Sequence, residues 1–325
     1  MYNPQKFIAS INTIVKASNL NYSTLHIALG FDNNYALPAG ITITSVINNT
    51  PNFNLHFHLF IDQVTESNIE KFKQLASDRI TITTYKINNN FLINPKTLVL
   101  HIPNASTCIR FIIPKLLNSI TEKVIYLDSD TICLQSLEKL ANYNIENCIA
   151  GVVSDTNDMQ EAVSKMYSLD SKRYFNAGVL LINTKAWCQA DISEKALELI
   201  NNGNIYKFAD QDVLNILLEN KTYLLPIKFN TKIKISIDAH QEKEIKPYTV
   251  ILHYISQNKP WYKVYQSEIF KYFFQQSPWK DDKIPLSGNS SSIRNYAKYL
   301  INQCKYASAF HYYIIYLIYK FYKKK

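Results

Sequence analysis

Glycine is scarce, with six residues in a chain of 325, and nowhere do they gather into a phosphate-cradling loop. That lack argues against nicotinamide enzymes of the dinucleotide-binding kind and against P-loop kinases, both of which need glycines where backbone meets phosphate. Cysteine is equally sparse: Cys108, Cys133, Cys148, Cys188 and Cys304 lie far apart. Without a Cys-x-x-Cys pair they can neither clip zinc nor run dithiol chemistry, and they read as reduced, mostly buried thiols of a cytoplasmic protein. Long apolar runs are missing as well. The first thirty residues hold no basic segment leading into a sustained apolar stretch, so neither a secretory signal nor a span is expected there. Near the other end, Phe310 to Tyr319 is interrupted by His311 and reaches about half the length that a bilayer crossing requires. No internal repeat or low-complexity segment is visible.

What is present is the balance of a folded chain, with 47% hydrophobic and 19% charged residues, long enough for one large domain and an appendage. The formal net charge of +9 calls for anionic company. Lys320, Lys323, Lys324 and Lys325 stand beside Tyr316, Tyr319, Phe321 and Tyr322, a pattern of an anionic membrane surface rather than of nucleic acid.

From Leu25 to about Ile182, strand-like runs alternate with helical patterns. Leu25–Gly30, Leu55–Ile61, Arg79–Lys86, Lys123–Leu127 and Ile149–Val153 read as strands, followed by Phe175–Ile182 and Tyr248–His253. The alternation predicts an α/β domain with a mostly parallel sheet and helices on both faces. Further helical patterns cover Asp191–Asn201, Asp210–Leu218, Ile293–Gln303 and Tyr306–Tyr319. The expected organisation is an extension over 1–24, a catalytic domain over 25–275 and a small helical, basic and aromatic tail over 276–325.

In such sheets ligands bind beyond the carboxyl ends of strands, and the polar residues found there carry the chemical reading. The run Lys123-Val-Ile-Tyr-Leu-Asp128-Ser-Asp130 ends a strand in two carboxylates that can converge on one divalent ion. A cap or loop turn is the competing account of that pair. His253 ends another strand and Lys259 follows six residues later, able to supply a third ligand and a phosphate contact, or else to be a strand-end imidazole and a surface ammonium. Asp210-Gln211-Asp212 stands where acidic residues also complement a helix dipole. Asn176 opens an apolar strand and needs partners if buried; it holds either backbone groups or a sugar hydroxyl. Gly30-Phe-Asp32-Asn-Asn34-Tyr35 follows the first predicted strand, where a base and ribose would meet hydrogen-bonding groups and a stacking ring; a plain turn is the alternative.

Taken in order, Gly30-Phe-Asp-Asn-Asn-Tyr35, Tyr126-Leu-Asp-Ser-Asp130, Tyr174-Phe-Asn-Ala-Gly-Val-Leu-Leu-Ile-Asn183, Asp210-Gln-Asp-Val-Leu-Asn215 and His253-Tyr-x-x-x-x-Lys-Pro-Trp261 resemble retaining glycosyltransferase family 8, in particular its bacterial lipopolysaccharide core glucosyl- and galactosyltransferases. The tail segments Ser277-Pro-Trp-Lys280 and Tyr296-Ala-Lys-Tyr-Leu300 resemble those same enzymes. The resemblance implies a GT-A fold, a UDP-glucose or UDP-galactose donor and a lipopolysaccharide core acceptor at the cytoplasmic face of the inner membrane. It further implies Mn²⁺ or Mg²⁺ held by Asp128, Asp130 and His253, with Gly30, Asp32, Asn34, Tyr35, Arg110, Ser129, Asn176 and Lys259 about the donor. Asp210 and Gln211 become the catalytic pair beside the transferred sugar, and Asp155 meets donor or acceptor hydroxyls. One departure stands out: Ser256 occupies a position where the family usually has glycine. Two other readings compete, a phosphatase of haloacid-dehalogenase type using Asp128 and a sugar-nucleotide binding protein that has lost turnover.

Overall fold

The computed structural model describes residues 4–19, 21–88, 108–169, 173–202, 204 and 206–322. Its strands are β1 (Ile8–Val15), β2 (Thr24–Asp32), β3 (Asn54–Asp62), β4 (Ile80–Ile87), β5 (Lys123–Leu127), β6 (Thr131–Cys133), β7 (Ala150–Ser154), β8 (Phe175–Asn183), β9 (Thr222–Leu224), β10 (Thr231–Ile233) and β11 (Ile251–Tyr254). Eight of them form one sheet in the order β1-β4-β3-β2-β5-β8-β7-β9, and the other three form a small sheet in the order β10-β11-β6. In the large sheet β4, β3, β2 and β5 run parallel, and so do β7 and β9, while β1 and β8 oppose their neighbours. The sheet is therefore mainly parallel, and it closes at one edge with β1, which falls within residues 1–24.

Period-two alternation sorts the side chains into two cores. Along β2 and β3, Ile27, Leu29, Phe31, Leu55, Phe57, Leu59 and Ile61 enter one core, which also takes up the helices Ala36–Asn49, Glu66–Lys73 and Glu268–Gln275. Ala28 and Phe60 enter the other, which is completed by Ile113–Leu117, Thr184–Gln189, Ile192–Asn201 and Ala209–Leu217. Helices thus cover both faces, which is why the central strands are nearly continuous runs of apolar residues.

Two irregularities shape the site. The β7–β8 pairing slips between Val152 and Val153, so Ala177, Gly178 and Val179 form a bulge in β8 that is unpaired toward β7 while Val179 keeps its pairing with Leu127 of β5. The small sheet then sets His253 opposite Thr131, immediately beyond the carboxylates that end β5. At the other end of the chain, Trp279 lies fully buried against Gly40, where a Cβ would stand within 2.2–2.6 Å of the indole. Its Nε1 donates to Asn68 Oδ1 at 3.0 Å, fixing the tail to the domain.

Beyond this anchor the helices Ser290–Asn302 and Tyr306–Tyr322 pack on each other through Ala309 and an edge-to-face pair of Tyr296 and Tyr312. Among the described residues no helix is long and apolar enough to cross a membrane. Lys323, Lys324 and Lys325 of the predicted basic end lie outside the described residues.

Candidate active site

Asp128 and Asp130 sit at the carboxyl end of β5, as expected, and converge with His253 so that one ligand atom from each lies within 4.8 Å of the others. The backbone N–H of Asp128 donates to Gly178 O at 2.8 Å, which draws the turn against the β8 bulge. Gly178 leaves the room: a Cβ there would stand 2.2 Å from His253 Cε1 and 2.9 Å from Asp128 Oδ2. Asp128 Oδ1 accepts from Arg110 Nη2 at 2.9 Å and from the Tyr126 hydroxyl at 2.8 Å. Asp130 Oδ2 accepts from Lys259 Nζ at 2.6 Å. Burial disfavours charge on Asp130, yet His253 and Lys259 outweigh it and hold the carboxyl well below its usual range.

The tautomer of His253 follows from backbone donors that cannot reverse. The bulge turns Ala177 N–H to Gln211 Oε1 at 3.1 Å and Gly178 N–H to Asn176 Oδ1 at 3.1 Å. Both side-chain oxygens are thereby assigned. Asn176 Nδ2 must then donate to Gln211 Oε1, at 3.0 Å, and Asn230 Nδ2 to Asn176 Oδ1, at 2.8 Å. This leaves Asn230 Oδ1 to accept from Nδ1–H of His253 at 2.9 Å, so in the neutral ring the lone pair is on Nε2, and a proton added there turns the ring into an imidazolium that pairs with Asp130. That lone pair faces Asp130 Oδ1 at 3.1 Å, a buried oxygen with no hydrogen-bond partner. Two acceptors so close require a shared proton or a cation between them. Two carboxylates with one imidazole, its far nitrogen held by an amide, make a donor set that fits a divalent metal.

The other end of the same chain of amides reaches Asp155. Gln211 Nε2 donates to Asp155 Oδ2 at 3.1 Å and to the Tyr174 hydroxyl at 3.2 Å. Lys232 pairs with Asp155 Oδ1 at 3.1 Å and donates to Ser154 O at 2.8 Å. The two acidic residues that flank Gln211 divide the roles weighed for them. Asp212 accepts from Phe208 N, Tyr167 and Tyr174, organising the start of its helix. Asp210 instead turns inward to Arg110 Nε at 2.9 Å; burial raises its pKa to about 6, with Arg110 opposing. Arg110 completes its fork on Ala177 O. Burial works against its charge, and Asp128 and Asp210 more than compensate, so it stays protonated throughout.

The predicted nucleoside loop lies at the end of β2. Leu29 and Phe31 are the last buried residues of the strand before Asp32, whose Oδ1 accepts from Asn34 N and Tyr35 N at 2.9 and 3.1 Å. Tyr35 packs edge-on against Trp261, ring centroids 5.5 Å apart; burial, then Asp130, raises its pKa. The loop and the His253–Trp261 segment are thus one wall. Ser129 Oγ is buried with no partner, and its carbonyl accepts from Thr42. Ser256 has φ 90°, a left-handed conformation natural to glycine.

Of the positions singled out from the sequence, Asp128, Asp130, His253, Lys259, Arg110, Asp210, Gln211, Asn176 and Asp155 are joined by direct contacts or through Asn230. Ser129 stands between the two carboxylates, and Gly30, Asp32, Asn34 and Tyr35 belong to the adjoining loop at the end of β2. The sequence pattern gives no sign of Gly178 as a space requirement nor of Asn230 or Lys232, and it marks Tyr174 only as the start of a family-like segment with no role. Asn230 immediately precedes β10 and Lys232 is its middle residue, in a three-residue strand too short to show a pattern.

The Glycosyl transferase family 8 profile matches residues 26–265, and the profile of the C-terminal region of that family matches 266–320. A lipopolysaccharide 1,2-glucosyltransferase of Escherichia coli K12 is 33% identical over 95% of both chains. A lipopolysaccharide 1,3-galactosyltransferase of Salmonella typhimurium LT2 is 33% identical over 92% of both. Among solved structures, the galactosyltransferase LgtC, in complex with donor and acceptor sugar analogues, superposes with a TM-score of 0.63 at 22% identity, covering 80% of this chain and 98% of that one. That likeness, with the sheet order above, gives the GT-A fold.

Proposed function

The chain belongs to glycosyltransferase family 8, and from that premise we propose that it is a retaining hexosyltransferase. It moves glucose or galactose from a UDP-sugar to a hydroxyl of the lipopolysaccharide core. The observation that carries the reading is the buried oxygen of Asp130 facing Nε2 of His253 at 3.1 Å, a gap that a proton or a cation must fill. Asp128, Asp130 and His253 would hold Mn²⁺ or Mg²⁺, which neutralises charge on a departing diphosphate when bound.

The chain's own residues supply the rest. Asp32, Asn34 and Tyr35 receive the uridine, Ser129 offers its buried hydroxyl, and Lys259 meets a phosphate oxygen within reach of Asp130. Arg110 keeps Asp128 and Asp210 oriented. Asn176, Asp210 and Gln211 surround the transferred sugar, and Asp155 meets its hydroxyls or those of the acceptor. The oxygen of Gln211 already accepts two N–H groups, which disfavours it as a nucleophile and supports attack by the acceptor hydroxyl from the face that UDP leaves. A cavity lined by Ser154, Asn157, Gln160 and Glu161 adjoins Asp155, and its polar lining suits an acceptor sugar. A phosphatase reading of Asp128 is set aside by family membership.

The tail brings the enzyme to its lipid-linked acceptor. Phe310, Ile314, Leu317, Ile318 and Phe321 are exposed on one helix, spaced as an apolar stripe, with Lys320 beside them. The stripe supports a position at the cytoplasmic face of the inner membrane.

The test is release of UDP from a panel of nucleotide sugars with Mn²⁺, Mg²⁺ or chelator. One UDP-hexose should be hydrolysed only with metal, and Asp130→Ala should cost about 100-fold or more in turnover with unchanged circular dichroism. Turnover at the wild-type rate in that variant, or in chelator, would sink the metal-assisted reading. Binding of UDP-sugar with no release and no transfer to acceptor would favour a binding protein.

A further inference from the structure

A second cluster of metal-ligating side chains lies away from the site, toward the amino ends of β2 and β3. His26 is paired in register with His56, and His58 follows two residues later on the same face. From His26 to the nucleoside loop at Asp32 is about 20 Å along β2, so this group takes no part in the chemistry above. One nitrogen from each ring lies within 4.8 Å of the others. The rings are stacked or tilted at centroid separations of 4.0 Å for His56 and His58 and 5.3 Å from His26 to each of these two.

Hydrogen bonds outside the cluster prepare two of the three rings. His58 Nδ1 is 3.0 Å from the Tyr85 hydroxyl, and His56 Nε2 is 2.9 Å from Thr83 Oγ1. With Nδ1–H of His58 on Tyr85, its Nε2 presents a lone pair toward His26. With Nε2–H of His56 on Thr83, its Nδ1 is free to ligate. His26 Nδ1 stands 3.0 Å from His58 Nε2, close to the roughly 3.3 Å between two nitrogens of a tetrahedral zinc site. Without metal, His26 donates its Nδ1 proton across that gap. Shifting that proton to Nε2 of the same ring frees the third lone pair without any change of charge. Burial holds all three rings below the usual imidazole pKa, so they keep their lone pairs at neutral pH. His58 is fully buried, while His26 and His56 are half-buried and leave a way in for an ion.

We propose that His26, His56 and His58 form a second metal site, selective for a borderline transition ion such as Zn²⁺, that ties β2 to β3. Three neutral imidazoles prefer such an ion over Mn²⁺ or Mg²⁺, which the carboxylate-rich centre suits better. The two sites are therefore separable by metal. Outer-shell partners, Tyr85 and Thr83, orient the ligands as such partners do in zinc proteins.

The experiment uses the full chain carrying Asp130→Ala, which removes the other metal site, stripped with chelator and titrated with Zn²⁺ alone. One equivalent should bind and raise the melting temperature, and Co²⁺ should give the intense visible absorption of a tetrahedral site. Adding His26→Gln, a half-buried position, should weaken binding by more than about 100-fold, beyond the 10–100-fold that loss of an outer-shell partner costs. Tyr85→Phe should show that smaller loss. No bound equivalent in the Asp130→Ala chain, or affinity unchanged by His26→Gln, would overturn the proposal.

Discussion

Gly178 and Ser256 are opposite answers to one backbone question. At Gly178 the missing Cβ is what allows His253 to lie against Asp128. Even one methyl group needs the imidazole to move by more than the thickness of a bond, and no flexible tip is available to yield. Gly178→Ala is therefore expected to fold, with near-normal circular dichroism, but to lose metal-dependent UDP binding by about 100-fold or more; calorimetric titration of UDP with and without Mn²⁺ checks it. At Ser256 the backbone adopts φ 90° with a side chain attached, a strain on the order of 1–3 kcal/mol. Ser256→Gly relieves it and loosens the unfolded chain by only about 0.4–1 kcal/mol, so strain relief wins. The variant should melt at a higher temperature and release UDP at least as fast as wild type. A lower melting temperature would mean that the Oγ contact with Asn258 N at 3.3 Å outweighs the backbone.

The elements that position the site differ in how plainly the sequence announces them. β2, β3, β5 and β8 are long or nearly unbroken apolar runs, and each lies within two residues of where its pattern places it. The carboxylates at the end of β5 were legible because a buried strand that stops in Asp-x-Asp demands an explanation. β6, β9 and β10 are three residues each, below the length at which periodicity speaks, and so Asn230 just before β10 and Lys232 within it stayed hidden. The β8 bulge was also invisible, since a register slip is a relation between two strands. Trp279 shows the same limit from the other side. Its motif stands out in the sequence, but its seat on Gly40 arises only when the Ala36–Asn49 helix, which begins where the nucleoside loop ends, meets the tail. Trp279→Ala should cost about 3–5 kcal/mol of stability, read from denaturant unfolding. It should also weaken UDP binding, because Phe72 and Asn68, the partners of the indole, brace that same loop. Unchanged unfolding would mean that the tail docks without it.

At the scale of the whole molecule, the candidate site and the exposed apolar stripe fall to different parts of the chain. The site is built from the carboxyl ends of the strands, while the exposed stripe of Phe310, Ile314, Leu317, Ile318 and Phe321 belongs to the last helix. Removing residues 306–325 should abolish co-flotation with anionic liposomes and leave metal-dependent hydrolysis of the donor intact; retained flotation would assign attachment elsewhere. The two sheets, by contrast, are joined through the site itself. His253 belongs to the small sheet and Asn230 directly precedes its strand β10, Asn176 belongs to the large sheet, Gln211 to the helix behind it and Asp155 follows β7; N–H groups pass from His253 to Asn230, Asn176 and Gln211 in turn and end on the Asp155 carboxylate. Such a line has a sense, and backbone donors at Ala177 and Gly178 fix it. An Asn or Gln in it exchanged for its acid sets two acceptors face to face, and no turn of a neighbouring amide can mend that. These positions are consequently expected to drift as one unit in descendants of this sequence: a change at one link is tolerated only alongside a second change at the next.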